Sequence, residues 1–151
     1  MKYFLYLTLL ICLNVCAQPA NKSIAFYYSS PMPLAEMTFY SRVVVQPQSI
    51  TQHELNWLKE RNISVYAYLS VGESFTENES SVAKNPHWNS HIADLTAEHW
   101  QQHLQKQARE LQQRGFNGLF LDTLDSYQLL KPDYDKAAQQ VGLVNIIKGL
   151  S

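Results

Sequence analysis

Four times along this chain a short apolar or β-branched run is followed by a longer run with apolar residues at helical spacing, and that alternation confines the fold to a parallel α/β arrangement. The strand-like runs are 24–28, 42–46 (with the trio Val43, Val44 and Val45), 64–70 and 118–122. The helix-like runs are 33–39, 51–61, 96–114 and 134–150. Thr51 is expected to cap the second helix, with Glu54 closing a capping box and Leu55 and Leu58 facing inward. Thr96 is expected to cap the third, in which Trp100, Leu104, Ala108 and Leu111 share a face and which Gly115 ends. Ala138, Val141 and Val144 are read as apolar positions of the last helix. Residues 71–92 read as one long polar connection, and connections of that length are often functional.

Parallel strands joined by right-handed crossovers leave two architectures, a βα-barrel or an open doubly wound sheet. The count favours half a barrel, because a complete barrel takes about 250 residues. The expected fold is therefore α/β, of the (βα)8 TIM-barrel type, with about the first four βα units present as a partial barrel over residues 18–151. No Pro, Gly or Ser-rich linker divides it. Such a unit would be a fragment, a truncated product, or a piece that completes its sheet by association, since two bare sheet edges are an aggregation liability.

The amino terminus predicts export. Lys2 leads into an apolar run that is too short for the roughly 20 residues of a membrane helix, and Val15 and Ala17 place small residues where a signal peptidase reads. Cleavage is expected after Ala17, making residues 1–17 a signal peptide, with a periplasmic or extracellular destination and no stable membrane span. A lipoprotein would instead be acylated at Cys16, but Val15 is bulky for the preceding position. Cys12 and Cys16 are the only cysteines, so the mature chain would hold neither a disulfide nor a thiolate metal site.

The net charge of −1, without long runs of either sign, gives nucleic-acid binding no electrostatic footprint. Nine Tyr and three Trp suit sugar recognition in an exported protein, although most aromatic rings serve core packing. His99 and His103 stand four apart on one helix, but two ligands on a surface helix do not make a metal site, and no metal or cofactor is expected. Ser70-Val71-Gly72 is not a nucleophile elbow, and no phosphate-binding glycine loop occurs.

The segment Phe120-Leu121-Asp122-Thr123-Leu124-Asp125-Ser126-Tyr127 puts acidic side chains where an apolar strand gives way to a helix, the place where βα-barrel enzymes keep catalytic groups. Asp125 or Ser126 also suits the N-cap of that helix. Here the chain resembles the endo-α-1,4-polygalactosaminidase family of glycoside hydrolases. The resemblance rests on Ile24-Ala25-Phe26-Tyr27-Tyr28, Val43-Val44-Val45-Gln46-Pro47, Ala67-Tyr68-Leu69-Ser70-Val71-Gly72-Glu73, and the stretch from Gly115-Phe116-Asn117 through Tyr127, in family order. It implies a (βα)8 barrel acting on partly deacetylated galactosamine polysaccharide, and a chain that stops about halfway through that barrel. A C-terminal half barrel or a deacetylase domain would then be the missing partner, and any role in biofilm polymer processing rests on the resemblance alone.

Glycoside hydrolysis normally uses two carboxyl groups, one protonating the leaving oxygen and the other serving as nucleophile or base. Asp122 at the end of the fourth strand is the first choice for a catalytic carboxylate, Glu73 after the third is the second, with a loop-anchoring role as its rival, and Asp125 is a weaker supporting candidate. Tyr28, Gln46, Tyr68, Ser70, Asp125 and Tyr127 lie at or near strand ends, where they would line a sugar cleft. Strand alternation means that Tyr27 and Tyr28 cannot both point inward. Gln46 departs from the acid that family members often carry before the proline; glutamine hydrogen-bonds a hydroxyl but cannot titrate. The rival reading is a catalytically silent carbohydrate-binding module or the product of a gene remnant.

Overall fold

The computed structural model describes residues 23–151, so the expected signal peptide lies outside the described residues. Four parallel strands, β1 (Ile24–Tyr27), β2 (Arg42–Val45), β3 (Ser64–Ser70) and β7 (Gly118–Asp122), pair in the order β1-β2-β3-β7. They are joined by α1 (Leu34–Met37), α2 (Gln52–Lys59) and α3 (Glu98–Gln113), and α4 (Lys136–Gly149) follows β7.

The period-2 pattern sets the two faces of this sheet. Val43, Val45, Val65 and Ala67 point one way and pack on Leu55 and Leu58 of α2. Both leucines are fully buried, each contributing about 1.5–3 kcal/mol. The expected capping box is present: Thr51 accepts from the Glu54 backbone while Glu54 accepts from that of Thr51. Leu69 and Val71 belong to a second cluster with Leu95, Trp100, Leu104 and Ile146.

The opposite face carries Phe26, Tyr66, Tyr68 and Phe120. In a flat sheet β1 and β7 would stand three strand spacings apart, about 14 Å. Yet the Phe26 and Phe120 ring centroids are 5.1 Å apart, edge to face. The strands thus curl so that side chains from the first and last meet inside, which is the arrangement of part of a βα-barrel. Among the described residues no strand covers the outer edge of β1 or β7.

Three expectations need correction. Residues 71–92 are not an unstructured connection but carry β4 (Glu73–Ser74), β5 (Ser81–Asn85) and β6 (Ser90–Ala93), an antiparallel sheet ordered β4-β6-β5. Its strands are short and Ser-rich, which hid their alternation. Thr96 does not cap α3, because both its amide and its hydroxyl turn back to Asp94 Oδ1. On α4, Val141 is 60% and Val144 43% exposed, while Ala138 is half-buried and Gln139, Gly142 and Ile146 face inward. The Gln139 amide fixes that rotation by accepting from the Leu95 backbone and donating to Asp94.

Candidate active site at the carboxyl ends of the strands

The carboxyl ends of β1, β2, β3 and β7 open into a cleft of about 850 Å³, walled on one side by the small antiparallel sheet. Tyr28, Gln46, Tyr68, Ser70, Glu73, Asp122 and Asp125 all line it. Tyr27 points to the other side, where its hydroxyl donates to the Pro31 carbonyl and its ring packs on the core.

Asp122 is exposed to the cleft and accepts at Oδ2 from the Tyr68 hydroxyl at 2.8 Å. Burial first, then that hydrogen bond and the Asp122 charge, push the Tyr68 phenol well above its ordinary value of 10.0. Tyr28 stacks edge-on against Tyr68 at 5.2 Å, and burial followed by the Asp122 charge raises it too. Asp122 thus sits at the open end of two neutral, donor-bearing rings.

The backbone turns sharply after Asp122. Thr123 has φ +60°, a genuine outlier for a β-branched residue. It persists because the surroundings fix it: its Oγ1 accepts from the Gly72 amide and lies 2.9 Å from Ser70 Oγ, and a Cβ on Gly72 would come within 2.3 Å of the Thr123 carbonyl oxygen. Strain of this kind clusters at functional sites.

Glu73 is only 7% exposed, and its carboxylate is fully engaged. Oε1 accepts from Asn85 Nδ2 at 2.9 Å and from Ser126 Oγ, and Oε2 accepts from Ser90 Oγ. One carboxylate thereby joins β4, both flanks of the β5–β6 hairpin and the 3-10 turn Ser126–Leu129. That bond also explains why the expected cap after β7 is absent. Ser126 is committed to Glu73 and Asp125 makes no side-chain cap bond, while the helix itself starts at Lys136 with Asp135 as cap. Tyr127, expected at the cleft, packs instead beside the second core cluster, one step round the turn from Ser126.

Phe75, Trp88 and Thr123 also line the cleft and were not singled out by sequence. The two aromatic rings sat in the stretch read as a polar connection, and nothing in the propensity of threonine announces a left-handed residue. The histidine pair divides: His99 Nε2 is 2.6 Å from Ser80 Oγ, whereas His103 stacks on Trp100. Among the described residues no three His, Cys, Asp or Glu group as a metal site, and no helix is long and apolar enough to cross a membrane.

Comparison with known proteins decides the family. The model of glycoside-hydrolase family GH114 matches residues 16–149. The chain belongs to that family. The glycoside hydrolase domain of PelA from Pseudomonas aeruginosa is 36% identical and superposes with a TM-score of 0.79, over 85% of this chain and 54% of that one. Ega3 of Aspergillus fumigatus, solved in complex with galactosamine, shares the fold at a TM-score of 0.68 and 14% identity, over 88% of this chain and 57% of that one. No curated protein sequence matches the chain. The chain therefore spans about half the length of the structures it resembles, with the parallel α/β layout of a partial barrel.

Proposed function

We propose that this exported chain carries the Asp122 side of a glycoside hydrolase site for α-1,4-linked galactosamine polysaccharide that is at least partly deacetylated. The observation that carries the reading is the charge of the cleft. Among the described residues its lining holds Glu73, Asp122 and Asp125 but neither Lys nor Arg. A deacetylated galactosamine unit bears an ammonium group, so such a polymer meets a complementary surface. The galactosamine held by the structurally similar fungal protein supports the same sugar class.

In this reading Asp122 acts as the ionised partner of the carboxyl pair, as nucleophile or water-activating base, with Tyr68 holding Oδ2 in place. Glu73 suits a structural post better than a reacting group, because all three of its donors come from buried protein atoms. The proton for the leaving oxygen then comes from a second carboxyl group. A further βα unit pairing with the open edge of β7 would bring its strand end beside Asp122. Tyr28, Gln46, Ser70 and Asp125 offer hydroxyl, amide and carboxylate contacts to the sugar.

The test is release of reducing ends from partly deacetylated α-1,4-galactosaminan by the chain together with the further βα units that supply the second carboxyl group. Release that disappears in Asp122→Asn supports hydrolysis. Tight binding without release by the wild type would favour a carbohydrate-binding role.

A further inference from the structure

The hairpin between β5 and β6 carries a feature that its own packing does not explain. Asn85 and Ser90 face each other in register, both buried, and both donate to the Glu73 carboxylate. Between them residues 86–89 all stand in solvent, with Asn89 at φ +51° closing the turn. The base of the hairpin is therefore held by a buried carboxylate while its tip projects Trp88, which is 75% exposed. Across the same cleft wall Phe75, just beyond β4, is 74% exposed. Both rings line the cleft that holds Asp122.

A large aromatic ring left in water on a firmly anchored turn, at the mouth of a cleft, has the character of a ligand contact rather than a core residue. We propose that Trp88, together with Phe75 on the same cleft, forms an outer sugar subsite that stacks on a galactosamine ring and attracts its ammonium group, and that Glu73 is the residue that positions it. This rests on the aminosugar reading of the cleft above. Charge complementarity selects the occupant: an indole face attracts a cation, and among the described residues the cleft lining includes the acids Glu73, Asp122 and Asp125 but no Lys or Arg. Glu73 acts through Asn85 and Ser90, so it tunes the platform without touching sugar.

The other two tryptophans make the test direct. Trp100 is buried, and the Arg61 guanidinium lies 3.6 Å over the Trp57 ring. Solvent-exposed tryptophan emission, and its quenching by acrylamide, therefore report mainly on Trp88. The probe is a fully deacetylated α-1,4-galactosamine pentasaccharide, with binding followed by calorimetry and quenching on the same samples. The expected result is that the sugar shields the exposed emission, that Trp88→Ala weakens binding about fivefold to tenfold, and that Trp88→Phe recovers part of the loss. Because Trp88 is exposed, both variants should fold, as circular dichroism would verify. Binding with Trp88 still accessible to quencher, and unchanged in Trp88→Ala, would overturn the subsite and leave the cleft assignment standing. No binding by the folded wild type would overturn both.

Discussion

The Tyr68 hydroxyl donates to Oδ2 of Asp122 at 2.8 Å, joining the ends of two neighbouring parallel strands, β3 and β7. The pair is diagonal across the register, in which Tyr68 faces Phe120 and Ser70 faces Asp122. The bond fixes a carboxylate that would otherwise rotate freely at an exposed strand end. Tyr68→Phe keeps the ring against Tyr28 and removes only this donor. Hydrogen bonds to charged groups contribute about 1.5–3 kcal/mol, so the substitution is expected to slow reducing-end release by about tenfold to a hundredfold. Because water reaches the exposed Asp122, urea unfolding should show a loss at or below the lower end of that energy range, and an unaltered rate would remove Tyr68 from the site.

The same pair predicts an alkaline signature. Tyr28 and Tyr68 are both raised above 10.0, mainly by burial and then by Asp122. In absorbance titration they should ionise after exposed tyrosines, and Asp122→Asn should move both downward without restoring the ordinary value, since burial remains. A raised folded value means that the native state holds these protons more tightly than the unfolded chain. Their contribution to stability is accordingly complete below about pH 10 and is lost as pH rises through the folded values. Tyrosines that titrate together in one step at the ordinary value would contradict this.

Gly72 is where the loop after β3 passes the strained Thr123. Its missing side chain leaves room for a backbone oxygen that would lie 2.3 Å from a Cβ. Gly72→Ala must displace main chain rather than a flexible side chain, and a cost of about 1–3 kcal/mol is expected from overpacking. The denaturant midpoint checks this, with unchanged stability showing that the two loops move apart freely.

Glu73 separates a structural role from a reacting one. Glu73→Ala would leave Asn85, Ser90 and Ser126 without their acceptor in a buried setting. The expected loss is about 3 kcal/mol or more, with faster hydrogen exchange in β5 and β6. Full stability with abolished cleavage would mark Glu73 as a reacting carboxylate.

What the sequence made legible follows from periodicity. The strand assigned to 64–70 put Tyr68 and Ser70 at or near a strand end, and in the structure Val65, Ala67 and Leu69 are buried on the opposite face; the Thr51–Glu54 pair announced the start of α2. The placement of Asp122 followed from a strand end alone. The small sheet escaped because its strands are short and polar and are organised by one buried carboxylate rather than an apolar stripe. The rotation of α4 escaped because a polar residue, Gln139, sets it against the pull of Val141 and Val144. Tyr127 was misplaced because the bond from Ser126 to Glu73, distant in sequence, decides which way the 3-10 turn faces.

Calorimetric titration of the protein with α-1,4-galactosamine oligosaccharides of increasing acetylation, repeated with Asp122→Asn, tests most directly whether the acidic cleft takes an aminosugar. Affinity is expected to rise with the number of free amino groups, to fall as salt is added, and to drop in Asp122→Asn. Equal or tighter binding of the fully acetylated oligosaccharide, unaffected by salt or by the loss of Asp122, would contradict the aminosugar reading.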